Sequence, residues 1–331
     1  MKKYQRLAQQ IISQIELGVW LPGDKLPSLR EQVASSGMSF MTVGHAYQML
    51  ESQGRIVARP QSGYYVASRP AAQQPAPPAQ VMRDEAVDIN TYIFDVLQAS
   101  RDPSVVPFAS AFPDPRLFPL QQLNRSLANV SKTATAMSVI ENLPPGNVDL
   151  RHAIARRYAQ QGMNISPEEI VITAGALEAL NLSLQAVTEP GDWVIVENPC
   201  FYGALQALER LKLKALSIAT DVREGIDLNA LEQALNEYPV KACWIMTNSQ
   251  NPLGFTLNAE KKAQLVALLT QHNVPLIEDD VYSELYFGRE KPLPAKAWDR
   301  QDMTLHCSSF SKCLVAGFRI GWVAAGKHAR R

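Results

Sequence analysis

Residues 67–80, Ala67-Ser68-Arg69-Pro70-Ala71-Ala72-Gln73-Gln74-Pro75-Ala76-Pro77-Pro78-Ala79-Gln80, contain no aromatic and no large aliphatic side chain. Such a stretch cannot bury enough apolar surface to form a core, and its prolines favour an extended, semi-rigid spacer. It divides the 331 residues into a head over residues 1–66, a linker over 67–88 and a body over 89–331. The linker is also where a protease is expected to cut first.

Charge is distributed unevenly across this divide. Through residue 70 there are eight bases (Lys2, Lys3, Arg6, Lys25, Arg30, Arg55, Arg59, Arg69) against four acids (Glu16, Asp24, Glu31, Glu51), a net of +4 in a chain whose total is zero. A small basic unit joined to a larger acidic one points to a nucleic-acid partner for the head. No apolar run is long enough to span a membrane. Cys200, Cys243, Cys307 and Cys313 show no paired spacing. They read as reduced, buried thiols of a cytoplasmic protein, with no metal set.

In the head, Leu7, Ile11, Ile12 and Ile15 recur at a helical period, and Gly18 ends that helix. Pro27-Ser28 opens a second helix through Leu29, Val33 and Ala34, closed by Gly37. Ser39 caps a third with Val43, Tyr47 and Leu50 on one face, ending at Gly54. Residues 55–59 and 64–66 alternate as strands around Pro60-Gln61-Ser62-Gly63. Three helices and a hairpin describe a winged helix-turn-helix of α+β class. Its third helix is shaped for a major groove, with Ser39 and Thr42 facing out, while Arg30, Arg55 and Arg59 neutralise phosphates.

This head resembles the GntR-family winged helix in Gly18, Leu21-Pro22-Gly23-Asp24, Leu26-Pro27-Ser28-Leu29-Arg30, Ser39, Thr42-Val43, Leu50-Glu51, Gly54 and Ser62-Gly63. The resemblance implies that Ser28, Arg30, Ser39, Thr42 and Gly63 approach double-stranded operator DNA. Where that family commonly has a basic or polar residue after the recognition-helix serine, this chain has Phe40. Either a base contact is lost there or an apolar contact to a thymine methyl replaces it.

The body alternates helical and strand patterns. Strands are expected at 169–173, 193–196, 242–246, 274–278 and 303–307, with helices over 150–161, from 174 and over 261–269. Continuous apolar strands separated by helices indicate an α/β unit with a mostly parallel sheet, and such sheets bind ligands beyond the strand C-termini. At those ends stand Gly175-Ala176-Leu177 opening a helix, Asn198-Pro199-Cys200-Phe201-Tyr202, Asn251, Asp279-Asp280-Val281-Tyr282, and Ser308-Ser309-Phe310-Ser311-Lys312 followed by Arg319. Free amides at a helix start, hydroxyls and a guanidinium suit a phosphate. An amine beside them is placed for Schiff-base chemistry.

As an ordered set these residues resemble the fold-type I pyridoxal-phosphate enzymes, the aspartate-aminotransferase superfamily. The resemblance implies pyridoxal 5'-phosphate held as a Schiff base on Lys312. Asp279 would pair with the pyridine nitrogen, and Tyr282 and Asn251 with the ring hydroxyl. Phe201, with Tyr202 as substitute, would stack on the ring. Gly175, Ala176, Leu177, Ser309, Ser311 and Arg319 would hold the phosphate.

A GntR head, a proline-rich linker and such a body resemble the MocR subfamily of bacterial transcriptional regulators. That resemblance implies a homodimer answering to an amine or amino acid. The other readings are a working aminotransferase with a DNA-binding appendage, and a body kept only for dimerisation. Three departures bear on the choice. The sequence stops at Arg331, where aminotransferases continue into a small domain bearing the carboxylate-binding arginine, so that domain is expected to be absent. Ala111 stands for a family glycine, and Glu141 for a frequent tyrosine.

Overall fold

The apolar stripe of the first helix becomes α1, Lys3–Glu16, which buries Leu7, Ala8, Ile11 and Ile12. The computed structural model describes residues 2–60, 62–67 and 111–330, with scattered residues between 93 and 110. The linker expected beyond Ala67 lies outside the described residues. Contacts divide the chain into Met1–Ala79 and Gln80–Arg331.

In the first unit, α2 spans Leu29–Ser36 and α3 spans Phe40–Ser52. The strands β1, Ile56–Arg59, and β2, Gly63–Val66, pair antiparallel. Both later helices start where the sequence places them, because a serine satisfies a free first-turn amide at each. Ser28 Oγ accepts from the Glu31 amide at 3.3 Å, and Glu31 returns the bond to the Ser28 amide at 2.7 Å. Ser39 Oγ accepts from the Thr42 amide at 3.3 Å. Gly37 ends α2 in the left-handed region, at φ 65°. The three helices and the hairpin close on one core, in which Val43, Ala46, Tyr47 and Leu50 meet α1 residues, Leu26, Ile56 and Val66. Tyr47 is fully buried, and its hydroxyl donates to the Pro27 carbonyl at 2.8 Å.

The second unit is an α/β layered structure. Its elements run α4 Leu120–Thr133, α5 Val148–Gln160, β3 Ile170–Thr173, α6 Ala176–Val187, β4 Trp193–Asn198, α7 Tyr202–Arg210, β5 Lys214–Asp221, β6 Gly225–Ile226, α8 Leu228–Glu237, β7 Val240–Ile245, α9 Ala259–Gln271, β8 Leu276–Asp279, β9 Thr304–Ser309 and β10 Gly321–Ala324. The sheet order is β3-β10-β9-β8-β7-β4-β5-β6. The central strands β9, β8, β7, β4 and β5 are parallel, while β10 runs antiparallel to both neighbours. The expected mostly parallel sheet is therefore a mixed one, with β10 wedged between β3 and β9.

Successive strand residues feed opposite faces, as a two-residue period requires. Ile195, Cys243, Ile245 and Leu276 pack with α8 and α9 residues on one face. Val194, Val196, Ala242, Trp244, Ile277 and Cys307 pack with α6 and α7 residues on the other. Both faces are covered, so polar groups are driven to the strand ends. Among the described residues no helix is long and apolar enough to cross a membrane. All four cysteines are free; Cys243 and Cys307 are buried, whereas Cys200 and Cys313 are only half-buried, short of the burial expected.

Because Ser28 is a reciprocal cap, Ser28→Ala should cost the head about 1 kcal/mol. Hydrogen exchange of α2 amides in the full chain measures this, and protection equal to wild type would show the cap carries nothing.

Candidate cofactor site and nucleic-acid interface

Strand β8 ends in three consecutive buried carboxylates, Glu278, Asp279 and Asp280. Alternation sends Glu278 and Asp280 to one side and Asp279 to the other. Asp280 accepts from Asn248 Nδ2 at 3.0 Å and faces His306 Nε2 at 3.0 Å. Asp279 is 2 % exposed, yet its Oδ1 has no hydrogen-bond partner among the described residues. Burial, and next the charge of Asp280, push its carboxyl up to about 7.

Around that carboxylate stand groups from three other strand ends. Tyr282 is half-buried and accepts a long hydrogen bond from Asn251 Nδ2 at 3.5 Å. Burial, followed by the charge of Asp279, raises its phenol to about 12. Lys312 Nζ lies 5.4 Å from the Tyr282 ring centre and 4.2 Å from that of Phe112, and donates to the Ala111 carbonyl at 3.1 Å. Burial lowers its pKa, and the Asp279 charge opposes that shift. Phe201 folds back over Gly203, where an added Cβ would come within 2.4 Å of the ring. The more exposed Tyr202 packs with its ring centre 4.7 Å from that of Phe201, the two planes tilted by 50°, and contributes to the upward push on Tyr282.

The second part of the site lies across β3, β10 and β9, where Thr173, Gly321 and Ser309 are abreast. Gly175 precedes α6 at φ 95°, and a Cβ there would lie 2.3 Å from Arg319 Nη2. A Cβ on Gly321 would lie 2.4 Å from the Gly175 carbonyl carbon. Only two glycines permit this close approach. Arg319 donates to the Ala174 carbonyl at 3.1 Å, so its guanidinium roofs the start of α6. The first-turn amides of Ala176 and Leu177 have no partner within the helix. Ser309 and Ser311, in the segment leading to Lys312, are buried, with Ser309 Oγ accepting from the Ser311 amide at 3.3 Å.

In the head, Ser28 and Ser39 are spent as caps, and Thr42 Oγ1 lies 2.8 Å from Ser39 Oγ. Arg30 is exposed on the first turn of α2. Gly63 opens β2 at φ 112°. Arg55 is engaged by Glu16 at 3.5 Å, and Arg59 lies over the Tyr65 ring at 4.3 Å.

Two families match this chain: "Bacterial regulatory proteins, gntR family" over residues 3–66 and "Aminotransferase class I and II" over residues 119–331. The HTH-type transcriptional regulator YdcR of Escherichia coli K12, whose own function is uncharacterised, is 83% identical over all of this chain and 71% of that protein. The regulator YjiR of the same organism is 38% identical over 99% of this chain and 70% of its own length. The chain is a GntR-type regulator of the MocR kind. The crystal structure of an archaeal alanine:glyoxylate aminotransferase superposes at a TM-score of 0.66 and 28% identity, covering 74% of this chain. This regulator spans only 62% of that enzyme's chain.

The body of the regulator holds functional groups that motif reading missed. A buried relay runs from Trp322 Nε1, which donates to Tyr158 Oη at 2.9 Å, through His306 Nδ1 at 2.6 Å from that oxygen, to Asp280. Asn248 continues it, receiving Lys262 Nζ on Oδ1 at 2.6 Å. A histidine in the middle of a strand expected to be buried was the available signal. Glu197 is the other missed group: burial raises its carboxyl to about 8, against a bond from the Met246 amide at 3.0 Å.

The raised pKa of Asp279 has a definite sign in stability. Between its ordinary value of 3.8 and about 7, the folded chain keeps a proton that the unfolded chain releases. Its contribution is complete below the lower value and is lost as pH rises through the upper one. Without added cofactor, Asp279→Asn should remove this loss, on the order of a few kcal/mol between pH 4 and 8. Calorimetry of both proteins across that range should show the variant gaining on wild type; parallel pH profiles would sink the assignment.

Proposed function

We propose that this transcriptional regulator binds pyridoxal 5'-phosphate through Lys312 and uses it to sense an amine or amino acid. The observation that carries the reading is the buried, partnerless Oδ1 of Asp279, which fits an N–H of a cationic heteroaromatic ring. A cation there would draw the Asp279 carboxyl back down and relieve the buried charge. The glycine-lined start of α6 under Arg319 independently suits a phosphate, through helix amides and a guanidinium fork. When bound, the cofactor supplies a carbonyl that reacts with amines and a ring that withdraws electrons.

The chain's own groups fit the remaining tasks. Burial lowers the Lys312 pKa and enlarges the neutral, nucleophilic fraction of its amine. Tyr282, held protonated by its raised pKa, has a proton to donate to a ligand oxygen. Its oxygen already receives the Asn251 amide. Phe201 and Tyr202 together offer an aromatic wall. In the head, exposed Arg30 supplies a phosphate contact on operator DNA, with Ser39 and Gly63 setting the backbone of the two elements that approach it.

We also infer a homodimer. Helix α4 has an apolar stripe of Leu120, Leu127 and Val130, all exposed. A monomer in sedimentation at micromolar concentration would refute it.

The test of the cofactor reading is chemical. With wild type, borohydride should fix a pyridoxyl label to a peptide containing Lys312. Lys312→Ala should lose that label while operator binding by the head persists. A label on another lysine, or an undiminished label in the variant, would show the wrong amine has been chosen.

A further inference from the structure

The recognition helix presents an unusual surface. On α3, Val43, Ala46, Tyr47 and Leu50 are buried, which turns Met41, His45 and Gln48 outward, with Phe40 and Gly44 on the flank of that face. Phe40 is 53% and Met41 67% exposed. The two hydroxyls at the start of this helix are tied to each other, Ser39 Oγ to Thr42 Oγ1 at 2.8 Å, and Ser39 Oγ also receives the Thr42 amide. The side chains that project freely there are therefore apolar.

Gly44 is a second, independent observation. A Cβ built on it would meet nothing within 4 Å. Glycine is disfavoured in a helix interior relative to alanine, and here no packing among the described residues repays the choice. On the helix surface Gly44 is ringed by residues three and four positions away, Phe40, Met41 and Gln48. The result is a shallow dent bordered by two apolar side chains and Gln48, in a unit carrying a net +4 through residue 70.

In the major groove an apolar side chain has one distinctive partner, the 5-methyl group of thymine. We propose that Phe40 and Met41 read thymine methyls in the operator, and that Gly44 lets the groove edge approach the helix axis where a side chain would hold it off. This rests on the DNA-binding reading of the head and assigns its specificity.

The experiment starts from duplexes selected by the full chain out of a randomised library. Each thymine of a selected duplex is then replaced by deoxyuridine, which removes only the methyl group. At one or two positions per half-site wild type should bind about fourfold more weakly, the factor expected for unburying one methyl-sized group. Phe40→Ala or Met41→Ala should bind the thymine duplex more weakly and be indifferent to deoxyuridine at the same position. Arg30→Ala should weaken both duplexes equally. Gly44→Ala should raise the unfolding temperature of the head yet weaken binding. Enrichment of duplexes that tolerate deoxyuridine everywhere would overturn the methyl reading and leave DNA binding intact. A Gly44→Ala protein that binds like wild type would overturn the close approach. Failure to enrich any duplex would sink operator recognition itself, and this proposal with it.

Discussion

The body is organised around a difficulty at the end of one buried strand. Glu278, Asp279 and Asp280 are each almost wholly inaccessible, and an unpaired buried carboxylate is among the most costly groups a protein can hold. Two of the three are compensated. Glu278 accepts from Thr247 Oγ1 and from the amides of Ala295 and Lys296. Asp280 has Asn248 and His306. Lys262 and Lys296, themselves buried and with pKa lowered by that burial, bring positive charge to the same side. Of the three, Asp279 points away from this network, and its Oδ1 has no hydrogen-bond partner among the described residues. The fold satisfies the two flanking carboxylates and leaves Oδ1 of the middle one, like Glu197 Oε1, without a hydrogen-bond partner among the described residues.

How much of this was legible in sequence depended on whether a residue's role is local. The head's helices were legible because apolar period and caps are local signals, and Ser28, Gly37 and Ser39 stand where helix ends need them. Lys312, Asp279, Tyr282 and Asn251 were legible as strand-end residues in a fixed order, and the structure brings them within reach of one another. Strand β10 was not legible. Its four residues, Gly321–Ala324, read as the tail of the lysine segment, and nothing local says that they turn back antiparallel. Strand β5 was missed because its burial alternates between exposed and buried positions, a weaker signal than the continuous apolar runs of its neighbours. The Trp322-Tyr158-His306-Asp280 relay was out of reach for a different cause. Its members are joined only by sheet register and by the packing of α5.

Ser28 and Ser39 were read from sequence both as helix caps and as residues approaching DNA, and the structure shows the caps. A serine at a helix start suits both a cap and a DNA phosphate contact. The structure engages each hydroxyl as an acceptor of a first-turn amide, and the residue just after Ser39 is the exposed Phe40. On the proposed reading this is what gives Phe40 its importance, because an apolar side chain at N1 can meet a thymine methyl group but offers no hydrogen bond to a base edge.

The position of β10 also explains why the parts of the body's site hold together. The lysine segment leaves β9 at Ser309 and returns through Ile320, whose carbonyl accepts from the Phe310 amide at 3.1 Å. The loop bearing Lys312 is thus closed at its base by an antiparallel pair. Gly321, the first residue of β10, is pressed against the Gly175 backbone, so the same strand that anchors the lysine loop also fixes the start of α6. Arg319 lies between these two anchors at φ 51°, a left-handed conformation that non-glycine residues adopt rarely. Its guanidinium reaches the Ala174 carbonyl from there. The amine, the guanidinium and the helix amides therefore share a single structural support. A side chain at Gly321 would press on the backbone at the start of α6, and one at Gly175 on the Arg319 guanidinium, so the glycines, though they carry no functional group, set how closely these parts approach.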